Sequence, residues 1–384
     1  MLTVGIDDEV SMTTVGVLRE TAGRERRVAL TPDGVARLRK LDVAVLVEAG
    51  AGARAWFEDI GYEGAGAVVA GRDRVYADSD VLLCLHPPDD VAACRPGQVL
   101  IGLLNPRSNR DLMQRLATAG VTVISLDLLP RTLSRAQAMD ALTSQANVAG
   151  YKAALLAAEA YSGFFPMLMT AAGTTRPAQV LVLGAGVAGL QAIATARRLG
   201  ALVTGYDVRE AARADIASTG ATVLAGPERT GKEGEGGYAR ELSDDEQSAQ
   251  QSALDEAIPR FDVIITTAQV PGRPAPRLVS ENALSKMRPG SVVIDLAAAP
   301  DGGNVEGSIP DTRTVTDAGV TVIGAANLAS TVPGAASTAY ARNALALLTH
   351  LMPRGEVVLD LDDEILAAVV VSHGGALTRK EIRS

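Results

Sequence analysis

The run QVLVLGAGVAGLQAIATARRLG, residues 179–200, constrains this chain more than any other feature. QVLVL reads as a buried strand and the residues from Val187 as a helix. Between them Gly184, Gly186 and Gly189 stand in G-x-G-x-x-G spacing. A glycine triplet alone says little, but between a strand and a helix it forms the turn on which a dinucleotide pyrophosphate rests. The first glycine allows the tight turn, the second lets backbone approach the phosphates, and the third lets helix pack on strand. Free N–H groups and the positive dipole end at Val187 then favour an anion.

Asp207 ends the next apolar run, ALVTGYD, 18 residues after Gly189. From that position a carboxylate accepts the hydroxyls of an adenosine ribose, which selects NAD(H). Arg209 is the residue type that takes the 2′-phosphate of NADP(H). Against it, two like charges ~4 Å apart at an effective dielectric of ~20 repel by roughly 4 kcal/mol, so Asp207 decides the preference. The cofactor-binding set read here is Gly184, Gly186, Val187, Gly189, Asp207, Val208 and Arg209.

Around this motif the chain alternates short β-branched runs with helical patterns, the mark of βαβ units. One series comprises TVGVL, VAVLVEAG, GAVVAG, DVLLCL, QVLIGLL and VTVISL. The second runs QVLVLGAG, ALVTGYD, ATVLAG, FDVIITTA, GSVVIDLA and VTVIGAAN. Runs apolar throughout suit strands covered on both faces. The fold class predicted is α/β, two Rossmann-like doubly wound parallel-sheet domains joined by long helices. The NAD(H)-binding domain covers 141–329; the first is discontinuous, 1–140 completed by 330–384. The connecting helices fall in the stretch from Ser134 to Thr170 and in Ala335 to Leu351, and Ser134 with Gln137 reads as a capping box. Residues 226–254 break the pattern. Polar and glycine-rich between two strands, they predict a lid loop, with Tyr238 as its aromatic.

Acidic residues exceed basic ones, 45 to 36, for a net charge of −9. That balance opposes a phosphate backbone, and no nucleic-acid partner is expected. Two cysteines, Cys84 and Cys94, can neither frame a disulfide-rich secreted domain nor ligate a structural zinc, and they fit a reducing cytoplasm. The opening MLTVGIDDEV carries acids where a signal peptide carries bases, and no apolar run reaches the ~18 residues of a membrane span. The chain is read as cytoplasmic, reaching a membrane only through partners. Its end at Ser384, without a hydrophobic extension, suits a separate polypeptide.

LPRTLSRAQAMDALTSQANVAGYKA, followed by FPMLMTAAGTTRPAQVLVLGAGVAGLQAIATARRLGA, resembles the NAD(H)-binding component of proton-translocating transhydrogenases. The likeness extends across nearly the whole chain. RRVALTPDGVARL and the GAG at Gly50 to Gly52 are similar to the wider group that also contains alanine dehydrogenases. The resemblance implies that the loop around Arg135, Gln137 and Asp140 holds the nicotinamide end of the cofactor. Its catalytic set is Arg131, Gln137, Asp140 and Thr143, the last standing where a Ser is common. PRTLSRAQ is one residue longer than the family's PRISRAQ, which leaves the guanidinium role open between Arg131 and Arg135. The resemblance also implies a mobile loop whose GGYA brings Tyr238 over the nucleotide, with Gly237, Gln250 and Gln269 as neighbours. It implies, further, an NADP(H)-binding partner subunit, a membrane-spanning partner subunit and a homodimer.

Direct hydride passage between two nicotinamides changes no C–O or C–N bond, so no side chain has to move a proton at the reacting carbon. This suits a chain whose three histidines, His86, His350 and His373, stand in no catalytic motif. The reaction needs two rings held within ~3–3.5 Å with water excluded. The first series offers no second nucleotide turn, because TVGVL runs into RETAGRERR. The rival reading is an alanine dehydrogenase-like amino-acid dehydrogenase, which needs a substrate-binding Lys and an acid–base His. DVLLCLHPP has Cys84 in place of the Lys, LIGLLNPRSN has no His, and only His86 is near. A third reading, an NAD-sensing module on the same fold, leaves the nicotinamide-side block without a purpose.

Overall fold

Both series of apolar runs fold into strands, because a sheet with helices on both faces shows neither face to water. The computed structural model describes residues 12–226, 243–269, 274–379 and 382. Contacts divide the chain into two units, Met1–Leu142 with Pro333–Ser384, and Thr143–Val332.

In the first unit β1 (Thr14–Val17), α1 (Pro32–Arg39), β2 (Ala44–Glu48), α2 (Asp59–Gly64), β3 (Val68–Ala70), α3 (Arg72–Asp78), β4 (Val81–Leu83), β5 (Val99–Gly102), α4 (Arg110–Thr118) and β6 (Thr122–Ser125) follow in turn. The strands pair in parallel as β3-β2-β1-β4-β5-β6, the doubly wound order with its switch point between β1 and β4. Local chemistry bounds the helices. At α1 the Thr31 hydroxyl accepts from the Gly34 N–H, Pro32 opens the first turn, and Arg37 and Arg39 lie in the last. At this switch point side chains fill the place of a glycine turn. The Glu20 carboxylate accepts from the N–H groups of Leu85 at 2.6 Å and His86 at 3.2 Å.

The second unit contains α5 (Ala141–Ala160) from Thr143, β7 (Leu168–Thr170), β8 (Gly173–Thr175), β9 (Gln179–Leu183), α6 (Val187–Arg198), β10 (Leu202–Tyr206), α7 (Ala211–Ser218), β11 (Thr222–Val223), α8 (Asp244–Ala257), β12 (Val263–Thr266), α9 (Glu281–Ser285), β13 (Val292–Asp295), β14 (Arg313–Val315) and β15 (Thr321–Gly324). Six strands run parallel as β11-β10-β9-β12-β13-β15, and β14 closes the far edge antiparallel. β7 and β8 form a separate antiparallel pair. These three short, largely exposed strands carry no apolar run, so the hydrophobic pattern does not mark them.

The chain returns to the first unit through α10 (Pro333–Leu351), α11 (Glu364–Val369), β16 (Val370–His373) and β17 (Ala376–Leu377). β16 pairs antiparallel with β6 and extends that sheet to eight strands. Tyr340, Leu347 and Leu348 of α10 are buried in one core with Val15, Val17 and Val28. Among the described residues no helix is long and apolar enough to cross a membrane.

Two local expectations are corrected. The segment 226–254 is not one lid loop: from Asp244 it is α8, opened by a capping box in which Ser243 and Glu246 exchange side-chain to backbone bonds. The Ser-x-x-Glu signature stands in the sequence. Polar composition argues for a loop there only because α8 buries little besides Gln250, Leu254 and Ala257. Residues 227–242, with Gly237 and Tyr238, lie outside the described residues. Conversely, Ser134 is not a helix cap. Leu133, in extended backbone, holds that position ahead of a 3-10 turn, Ser134–Met139, with no side-chain cap bond. Leu133 packs against the core that buries Ala136 and Met139, which draws the chain into the turn one residue early.

Candidate functional site

The glycine turn joins β9 to α6, and each glycine has its own steric reason. Gly184 has φ +99°, left-handed backbone that only glycine adopts readily. A Cβ on Gly189 would lie 1.8 Å from the Gly184 carbonyl oxygen, so α6 can meet the turn only without a side chain there. Gly186, the N-cap of α6, is exposed, and a Cβ on it would meet nothing within 4 Å. That open face, above the amides of the first turn of a 12-residue helix, has the room and polarity that a phosphate requires.

Asp207 follows β10, the strand beside β9. Its carboxylate accepts from the Ala185 N–H at 2.7 Å, inside the glycine turn, and from Arg209 through the backbone N–H at 2.8 Å, Nε at 3.0 Å and a terminal nitrogen at 2.9 Å. The Asp207 side chain is 7% exposed. Burial alone would raise its pKa; the Arg209 guanidinium and the two backbone N–H groups outweigh that and hold it below the usual carboxylate value. Arg209 is therefore matched to Asp207 by a fork of hydrogen bonds, a pairing that sequence reasoning treats as a competition between the two. Val208, half-buried, packs against the core beneath.

The end of β12 supplies the opposite wall. The Thr267 hydroxyl donates to the Gly184 carbonyl at 3.1 Å. Asn304 clamps the next residue, accepting from the Ala268 N–H at 3.0 Å and donating to its carbonyl at 2.9 Å. Beneath it Asp295, fully buried, accepts from the Thr266 hydroxyl and the N–H groups of Ala297 and Val305. These polar residues stand at strand ends and in a Gly-rich turn, where nothing in the sequence separates them from ordinary loop residues. Gln269 is exposed and donates to the Leu296 carbonyl at 3.1 Å. Gln250 is instead buried on α8. Gly150 of α5 is a further residue that pattern reading misses: a Cβ on it would fall 2.0 Å from the Ala188 carbonyl oxygen.

The block expected to hold the nicotinamide end lies around the 3-10 turn of the first unit. Arg131 Nε and Asp140 Oδ2 stand 3.8 Å apart, and Gln137 is exposed on the turn between them. Arg135 turns away from that pair: its guanidinium bridges Asp363 and Glu364, each at 3.2 Å, at the start of α11. The structure thus brings Arg131, not Arg135, to Asp140. Asn343 of α10 donates to the Ala138 carbonyl at 2.8 Å and pins the turn. Thr143, half-buried, lies in the first turn of α5.

The histidines have other partners. His86 Nε2 lies 2.9 Å from Glu25, whose buried carboxylate also accepts two bonds from the Arg27 side chain. His350 pairs with Asp363 at 3.0 Å, and His373 meets the Thr122 hydroxyl at 3.0 Å. Cys84 is buried, and burial pushes its thiol well above the ordinary value.

Residues 16–149 match the family model of the alanine dehydrogenase/PNT N-terminal domain, and residues 153–380 that of its C-terminal domain. The chain is 40% identical over 371 residues to the NAD(P) transhydrogenase subunit alpha of Cereibacter sphaeroides, covering 95% of this chain and 71% of that one. It is 38% identical over 373 residues to an NAD(P) transhydrogenase subunit alpha chain of Rickettsia prowazekii, covering 95% and 96%. A solved transhydrogenase structure from Sinorhizobium meliloti superposes with a TM-score of 0.83 at 39% identity, over 96% of this chain and 99% of that chain. The alanine dehydrogenase of Mycobacterium tuberculosis is 30% identical over 378 residues, 96% of this chain and 95% of that protein. With both domain models matched in order and relatives aligned along almost its whole length, the chain belongs to the alanine dehydrogenase/PNT family, and its sequence stands nearer to these transhydrogenase alpha subunits than to this alanine dehydrogenase.

Proposed function

We infer that this chain is the NAD(H)-binding component of a proton-translocating NAD(P) transhydrogenase. One observation carries the reading: buried Asp207 is tied both to the Ala185 amide of the glycine turn and to the Arg209 guanidinium. A ribose position whose cation is already matched to a carboxylate favours a 2′-hydroxyl over a 2′-phosphate. NADP(H) then has to arrive on a partner subunit. When bound, NAD(H) supplies or accepts a hydride at its nicotinamide; the side chains bind, orient and exclude water. Gly186 and the first turn of α6 from Val187 hold the pyrophosphate, Asp207 holds the adenosine ribose, and Gln269 lies alongside. Arg131, Gln137, Asp140 and Thr143 orient the nicotinamide end. Tyr238, with Gly237, closes over the nucleotide.

Proton translocation belongs to a membrane-spanning partner, through which this chain sits peripherally at the cytoplasmic side of the membrane. Homodimer formation follows from the resemblance, and the β7–β8 pair supports it: Met169 is 76% exposed, and Phe164 and Met167 beside it are exposed too. That is apolar surface for a second copy to cover.

The alternative, an alanine dehydrogenase-like enzyme, requires His86 as acid–base, and the Glu25 and Arg27 contacts of that ring weigh against it. The deciding experiment assays the chain alone, an NADP(H)-binding partner alone, and the mixture. The chain alone is expected to bind NADH in preference to NADPH without transferring hydride, and the mixture to transfer it even without a membrane. Robust NADPH-dependent turnover by the chain alone would overturn the subunit reading. Alanine-dependent NAD⁺ reduction would replace it with the alternative.

A further inference from the structure

An open depression of about 420 Å³ lies on the first unit, lined by Gly23, Arg24, Arg26, Ala53, Arg54 and Trp56. None of these residues belongs to the nucleotide site. The volume falls within the range of small-molecule sites, ~300–1,000 Å³. None of the lining side chains is acidic, although acidic residues outnumber basic ones over the whole chain. The RERR run explains how that arises. Glu25 turns inward, 1% exposed, with its carboxylate on Arg27 and His86, while Arg24 and Arg26 on either side of it face the depression. Arg54 reaches in from the opposite loop and donates to the carbonyls of Gly23 and Glu25, at 3.4 and 3.1 Å, which fixes its planar group at the rim.

Trp56 adds an aromatic face to this cationic rim. It is the chain's one tryptophan, and it is 76% exposed. Its backbone is left-handed, φ +67°, just after the 3-10 turn Ala53–Ala55. A turn of that kind is ordinarily given to Gly or Asn. Here it instead presents a large indole face to solvent beside three guanidinium-bearing residues. Guanidinium groups take phosphate oxygens through forked hydrogen bonds, and an indole stacks a planar ring.

We propose that this depression is a ligand site for a phosphorylated compound carrying a planar ring, of the mononucleotide class, separate from the Gly184–Asp207 turn. Trp56 reports on it directly, because indole emission from this chain has no other source. ADP is added to the full chain with excitation at the red edge of the indole band; adenosine and inorganic pyrophosphate are titrated in parallel. Saturable quenching by ADP is expected, at least about tenfold tighter than by adenosine and more complete than by pyrophosphate, the phosphate preference weakening as salt rises. In Arg24→Gln/Arg26→Gln the ADP affinity should fall by about tenfold or more, the loss of one or more charged hydrogen bonds. NADH affinity and Tm should hold, which separates a lost site from a lost fold. Trp56→Phe, followed by calorimetry, should retain phosphate-dependent binding, because a phenyl ring still stacks. The proposal is overturned if quenching is not saturable, if adenosine binds as tightly as ADP, or if the arginine variant quenches like the wild type.

Discussion

Asp207→Asn tests the ribose site most directly. The carboxylate accepts four hydrogen bonds, from Ala185 N–H and from Arg209 N–H, Nε and a terminal nitrogen. An amide keeps one acceptor oxygen and turns an NH₂ toward the donors on its other side, so part of this set loses its acceptor and all of it loses the charge. A hydrogen bond to a charged group contributes ~1.5–3 kcal/mol. Losing one such bond to the ribose hydroxyls weakens NADH binding by roughly tenfold to a hundredfold. NADPH should lose less, because Arg209, no longer matched to a carboxylate, becomes available to the 2′-phosphate. The preference for NADH over NADPH should therefore shrink by about tenfold or more. Calorimetric titration of both nucleotides on both proteins gives the ratio. The ratio is the proper readout, since Asp207 also braces the glycine turn and a loosened turn lowers both affinities alike. An unchanged ratio would refute the assignment.

Gly189→Ala places a methyl carbon 1.8 Å from the Gly184 carbonyl; overpacking of this kind costs ~1–3 kcal/mol. A fall in Tm of several degrees, at ~2–4 °C per kcal/mol for a unit of this size, should accompany loss of NADH protection in a melting assay. Arg131→Ala and Gln137→Ala should slow hydride transfer in the reconstituted mixture more than they weaken NADH binding. Arg135→Ala should leave transfer unchanged and lower stability by no more than ~1 kcal/mol, the worth of an exposed ion pair; slow transfer by that variant would return the role to Arg135. Asp207 has a lowered pKa, so its contribution is complete above the ordinary carboxylate value of ~3.9 and is lost only as pH falls through the lower folded value. NADH affinity measured by titration should accordingly be flat from about pH 8 to about pH 5, and a titration within that window would contradict the hydrogen-bond set around Asp207.

The sequence by itself determined what depends on local pattern. Apolar runs between helical patterns name the parallel strands of both sheets, because a strand buried on two faces must be apolar throughout. The glycine spacing and Asp207 name the nucleotide turn, because φ, close approach and packing each admit only glycine at their positions. Only the tertiary structure decided what depends on neighbours remote in sequence. Ser134 and Gln137 match a capping box, yet burial of Leu133, Ala136 and Met139 sets the turn one residue earlier. Ser243 and Glu246, in a stretch too polar to read as a helix, do form the box. Asp207 and Arg209 were legible as neighbours, but not that one would neutralise the other while holding the Ala185 amide. The choice of Arg131 over Arg135 was likewise closed to the sequence. It is made by Asp363 and Glu364, more than two hundred residues downstream, which take up the Arg135 guanidinium and leave Arg131 facing Asp140.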